Sequence, residues 1–156
     1  MHSKGGFAKK HQYTLALLVF LIIFGAAALY NLGYMSVQWD EMPHLYGGVM
    51  LSHGQTWDYL KTYGYYPPLF DLITTGYFQI FGASQVAGRL VAVTFSLLAI
   101  AVLFAFAKKT YGAKNALIAS VLLGTMPGFF WLTRVTLLET MLIFFFTLAG
   151  RTPNRK

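Results

Sequence analysis

The stretch Thr14 to Leu32, TLALLVFLIIFGAAALYNL, decides the fold. Coiled as a helix it extends roughly 28 Å, close to the thickness of a bilayer's hydrocarbon core. Lys4, Lys9 and Lys10 precede it, and Tyr30 and Tyr34 fall where an interfacial aromatic belt would sit. The run therefore reads as a transmembrane helix whose N-terminus faces the cytoplasm. The other reading is a secretory signal cleaved near Ala26, Ala27 and Ala28, but the apolar run continues past those alanines.

The rest of the chain agrees with a membrane protein. Of 156 residues, 56% are hydrophobic and only 11% charged, and the mean hydropathy is +0.54. Such a length accommodates one membrane unit spanning 1–156, with no separate soluble domain and no internal repeat. The absence of cysteine excludes disulfide staples and thiolate metal sites. A net charge of +7 raises nucleic acid as a partner, yet the basic residues do not gather on one basic and aromatic face, so no nucleic acid is expected.

The basic residues follow the hydropathy instead. A second apolar run, residues 90–107, is followed by Lys108, Lys109 and Lys114; a third covers residues 116–132; a partial fourth covers 141–150 and leads to Arg151, Arg155 and Lys156. If the three complete runs alternate in direction, every basic residue except Lys61, Arg89 and Arg134 faces the cytoplasm, as positive charge in membrane proteins does. All five acids, Asp40, Glu41, Asp58, Asp71 and Glu139, then fall on the opposite side. Acids contribute little to orientation, so their segregation points to a site.

Residues 68–82, PLFDLITTGYFQIFG, resemble a further span but make only roughly 22 Å of helix. Leu69, Leu72, Ile73 and Ile80 recur at helical spacing while Asp71, Thr74, Thr75 and Gln79 gather elsewhere, the pattern of a helix lying in the interface. An external loop thus runs from 33 to 87. Within it, Asp40 is placed to begin a helix containing Leu45, Tyr46, Val49 and Met50, with Pro43 in its first turn and an end near Gly54. Capping that helix is one role for Asp40 and catalysis is another. The expected fold class is all-α: a polytopic helical membrane protein with interfacial helices in a long first external loop.

The order of features resembles the N-terminal part of the GT-C glycosyltransferases that use lipid-phosphate-linked sugars, among them the dolichyl-phosphate-mannose protein mannosyltransferases and the aminoarabinose transferases. The matching residues are Trp39-Asp40-Glu41 after the first span, Tyr66-Pro67-Pro68-Leu69, Phe81-Gly82, Arg89-Leu90, Lys108-Lys109, Tyr111-Gly112, Pro127, Arg134 and Glu139. The resemblance implies a transferase acting at the external face of the cell membrane, in which Asp40 is the general base and Glu139 returns to the same site; Glu41, beside Asp40, is the third catalytic candidate. It implies a polyprenyl- or dolichyl-phosphate sugar as donor and membrane lipid as surroundings, with inversion at the anomeric carbon.

Such a reaction needs a base for the acceptor hydroxyl and cations for the departing phosphate. Arg134, Arg89 and Lys61 are the external cations, and Arg suits bidentate phosphate contacts. Snorkelling at helix ends is the structural alternative for the two arginines, and an Arg134 to Glu139 pair would account for an acid inside the apolar stretch after Val135. Tyr66, with Tyr63 and Tyr65, offers aromatic faces to a sugar or an isoprenoid chain, and a packed interfacial loop explains them equally. His44 and His53 lie near Asp40 and Glu41, with Asp40 and His44 one helical turn apart. Some relatives use a divalent cation, but the aminoarabinose branch carries Glu-Lys where this chain has Tyr65-Tyr66. Family members continue through many more spans, so this ending is expected of a fragment or of a subunit completed by a partner chain. The expected function is transfer of a sugar from a polyprenyl-phosphate carrier, and the alternative is a noncatalytic membrane subunit that binds a lipid-linked glycan.

Overall fold

The computed structural model describes residues 4–150, with side chains from His11 onward. The side chains of Lys4, Lys9 and Lys10 and the whole of Arg151, Arg155 and Lys156, on which part of the orientation argument rests, lie outside the described residues. Among the described residues the chain is all helical: α1 (Lys4–Leu29), a short 3-10 turn (Trp39–Glu41), α2 (Met42–Ser52), α3 (Thr56–Tyr63), α4 (Pro68–Phe81), α5 (Gln85–Tyr111), α6 (Ala113–Thr125), α7 (Pro127–Thr133) and α8 (Glu139–Ala149).

Two of these helices, α1 from His11 to Leu29 and α5, are long and apolar enough to cross a membrane, and α6 with α7 makes a third crossing if the bent pair is one span. The expected first span ends three residues early, because the chain leaves the helix after Leu29 and turns through Asn31 at φ 53°. The alanines considered as a cleavage point continue the helix, and Ala28 is buried with Leu32 and Val93. The second span lengthens to 85–111. The third is not the straight helix expected over 116–132: α6 and α7 meet at 68°, with Met126 extended and Pro127 opening α7. A proline lacks the N–H that would continue the helical ladder, and its ring clashes with the preceding turn.

Small residues let these helices approach. Leu17, Phe24, Ala99, Ile100, Phe104, Ala107, Ala116 and Phe129 form a core shared by α1, α5, α6 and α7. Gly124 faces Phe20, whose ring would lie 2.7 Å from any Cβ added there. Cross-links fix direction: Lys108 Nζ donates to Thr14 Oγ1 at 3.2 Å at one end of the bundle, and Arg89 reaches the backbone of Leu32, Met35 and Ser36 at the other. Thr133 bonds Ser96, and Thr136 donates its backbone N–H to Glu41, so the chain after α7 returns to the end that carries the loop. α8 then runs down α5, with Met141 in a cluster with Phe70, Val91 and Phe95.

The loop between α1 and α5 is folded. α2 and α4 are the helices expected there, within two residues at each end, and α2 ends before Gly54 at φ +72°. α4 is inverted relative to a soluble amphipathic helix: Asp71, Thr74 and Thr75 are buried, while Leu69, Leu72 and Ile80 are exposed. Its polar side packs on α2, where Gly47 and Gly48 leave room for Asp71 and Thr74. An outward apolar face suits a helix surrounded by lipid.

Candidate active site

The site is built on a buried ion pair. Glu41 Oε1 accepts from Arg89 Nε at 2.9 Å and Oε2 accepts from Arg89 Nη2 at 2.7 Å, with both side chains fully buried. The remaining lone pairs are used as well, by the backbone N–H groups of Gln38 at 2.9 Å and Thr136 at 2.7 Å. Burial alone raises the Glu41 carboxyl, but the Arg89 hydrogen bonds and charge and the two backbone donors outweigh it, so the group is held below its ordinary value. A carboxylate so completely occupied is a fastener. It joins the 3-10 turn, the head of α5 and the segment before α8.

This corrects two sequence-based expectations. Arg89 does not face the outside as a phosphate ligand, and Glu41 is not exposed to a substrate: each is consumed by the other and by backbone. The pattern follows from elementary electrostatics, since either charge buried alone would be costly.

Asp40, the neighbour of Glu41, points the other way. It does not cap α2, because it lies inside the 3-10 turn and Glu41 holds the cap position. It is exposed and lines a cleft of about 350 Å³ together with Trp39, Met42, Pro43, Tyr46, Tyr63, Tyr65 and Tyr66. Tyr66 was expected near the substrate, and the structure brings it and Asp40 to one cavity. The Tyr65 and Tyr66 rings stand 4.4 Å apart. The Tyr66 phenol is raised above its ordinary value, first by its hydrogen bond with Tyr65, then by desolvation and by the charges of Tyr65, Asp40 and Asp71, so it stays a protonated donor.

His44 turns one ring nitrogen to Asp71 rather than towards Asp40. Its Nδ1 lies 2.7 Å from Asp71 Oδ1, and its ring packs on Tyr66 and Phe70 at 5.2 and 5.1 Å. Tyr59 donates to the other Asp71 oxygen at 2.7 Å, and burial, that bond and the Asp71 charge raise its phenol. His53, at the far end of α2, meets the Val49 carbonyl at 2.9 Å. Among the described residues no three His, Asp or Glu side chains converge on one point.

Three further candidates sit apart from the cleft lining. Arg134 donates to the carbonyls of Ala27 and Asn31 at 3.1 and 3.3 Å and stacks near Phe130, so it caps the end of α1; the expected pair with Glu139 does not form. Glu139 opens α8, exposed, three residues after Thr136, which holds it at the same end of the bundle as Asp40. Lys61 is exposed in the last turn of α3. Sequence reasoning missed the joining of Asp71 to His44 and Tyr59 behind the cleft. The available signal is the spacing of Asp71, Thr74 and Thr75 at i, i+3 and i+4, which puts them on one side of a helix without saying what covers that side.

Apolar spans and a folded aromatic loop define an all-α membrane protein, with the cleft of Asp40 at one end of its bundle. Residues 66–150, more than half of the chain, match the dolichyl-phosphate-mannose-protein mannosyltransferase family, and the protein belongs to that family of membrane glycosyltransferases. The match begins at Tyr66, so Asp40 and Glu41 precede it. No curated protein and no solved structure matches the chain significantly.

Proposed function

We propose that this protein transfers a sugar from a polyprenyl-phosphate-linked donor to an acceptor hydroxyl in the cleft of Asp40, on the external face of the cell membrane. The observation that carries the reading is the placement of Asp40: an accessible carboxylate among aromatic faces, on a turn immobilised by the Glu41–Arg89 pair. The acceptor oxygen forms its bond to the anomeric carbon as the bond to the phosphate oxygen breaks. The hydroxyl proton passes to Asp40, and the lipid phosphate departs with the bonding pair. Attack opposite the leaving group inverts the anomeric centre.

Tyr46, Tyr63 and Tyr66 present faces on which a sugar ring packs. Arg134 and Lys61 are the proposed cations for the phosphate, and Glu139 a second acid near the acceptor. An apolar groove of about 330 Å³ between α1 and the α6–α7 bend includes Ala27 and Phe130, both touched by Arg134, and supports a place for part of the isoprenoid chain. The test is transfer of labelled sugar from a panel of polyprenyl-phosphate sugars in membranes from cells expressing the full open reading frame. Turnover from one donor supports the reading, and donor binding with no turnover favours a glycan-binding subunit.

A further inference from the structure

The buried acid Asp71 has no part in the transfer step, yet its connections end on the cleft. One oxygen meets His44, whose ring rests on Tyr66; the other accepts from Tyr59, whose ring lies 6.4 Å from that of Tyr63. Tyr63 and Tyr66 both line the cavity of Asp40. Two arms therefore leave a single carboxylate, and each terminates on a wall tyrosine. The fit is tight, since a Cβ on Gly47 would lie 2.9 Å from Tyr59 Cε2 and 3.0 Å from Asp71 Oδ2. A buried polar triad is a weak source of stability compared with apolar side chains of the same volume, and what it adds is orientation. A carboxylate only accepts, so the contact with His44 fixes Nδ1 as the protonated nitrogen.

We propose that Asp71 is the positioning residue of the cleft: acting through His44 and Tyr59, it holds Tyr66 and Tyr63 where they grip the glycosyl ring, and so sets sugar affinity while the proton transfer at Asp40 proceeds independently. The proposal rests on the transferase reading for its ligand class, a monosaccharide linked to polyprenyl phosphate, and on geometry alone for the coupling.

The experiment uses the full chain in detergent with ¹⁵N-histidine and ¹³C-tyrosine labels, and a short-chain polyprenyl-phosphate mannose as donor. In the wild type the His44 signal should show the Nδ1–H form, and Asp71→Asn should move both that signal and the Tyr66 ring signal, identified by its loss in Tyr66→Phe. In kinetics, Asp71→Asn and Tyr59→Phe should raise KM for the donor about tenfold with kcat held within about threefold, the signature of lost ground-state binding. Tyr59→Phe keeps the ring and its packing, so it decides the matter if Asp71→Asn does not fold. A fall in kcat at constant KM, or no change in KM in the Tyr59→Phe enzyme, overturns the proposal. If the wild type transfers nothing, the transferase reading fails by itself; the coupling is then judged by the tyrosine signal, and a Tyr66 resonance unmoved by Asp71→Asn overturns it.

Discussion

Arg89 and Glu41, 48 residues apart, close a two-pronged ion pair from which water is excluded on both sides. Through it the second turn of α5 grips three carbonyls of the chain leaving α1, and the carboxylate grips the backbone leading to α8. Asp40 therefore owes its position to its neighbour's partner.

Replacing Arg89 by Met removes the guanidinium and strands a buried carboxylate. The expected loss is about 3–5 kcal/mol, the range for breaking one side of a buried pair, seen as a lower midpoint of thermal unfolding in detergent. Glu41→Gln strands the guanidinium in turn, but the carbonyls of Leu32, Met35 and Ser36 still accept from Arg89, so this variant should cost less. Equal losses in the two variants would contradict this account.

The pH dependence of stability follows from the lowered Glu41 carboxyl. A group whose folded pKa lies below its unfolded value stabilises the fold fully above the unfolded value, here 4.5, and loses that contribution as pH falls through the folded one. The wild type should lose thermal stability as pH drops below 4.5, and Glu41→Gln should decline less over the same window. Parallel curves would place the titrating group elsewhere.

At Gly88, α5 lies against Leu45 of α2 and against Thr136 in the segment that binds Glu41. A Cβ there would lie 2.5 Å from Leu45 Cδ2 and 2.9 Å from Thr136 Oγ1. Gly88→Ala should therefore cost about 1–3 kcal/mol by overpacking, although alanine favours helix more than glycine does. A stabilised variant in thermal unfolding would mean that these elements are looser than described.

The chain has no cysteine, so its topology can be read by introducing one at a time. Thr56 before the body of α3 and Asn115 early in α6 are both exposed and belong to opposite ends of the bundle. In intact cells a membrane-impermeant maleimide should label Thr56→Cys at once and Asn115→Cys only after lysis. Labelling of both from one side would contradict three crossings.

Much of this architecture was legible from periodicity and composition. The two long apolar helices and the limits of α2 and α4 follow from apolar runs, prolines and glycines that act locally. What escaped was pairing across distance. Helical spacing places Asp71, Thr74 and Thr75 on one side of α4 but does not say that α2 covers that side, 27 residues away in the case of His44. Arg89 and Glu41 each looked available because a single sequence shows charges and not their partners. The bend at Met126–Pro127 was visible as a proline, yet a hydropathy run is blind to direction. Glu139 is the acid nearest Arg134 in sequence, whereas the carbonyls at the end of α1 are its partners in space.

The central claim concerns Asp40, and its most direct test is initial transfer rate from the preferred polyprenyl-phosphate sugar, wild type against Asp40→Asn at matched expression. The side chain is exposed, so the substitution should change stability by no more than about 0.5 kcal/mol. Loss of a proton acceptor should lower kcat by about 10²–10⁴-fold with donor binding retained. Undiminished transfer by the Asn variant would contradict the assignment of Asp40 as the base.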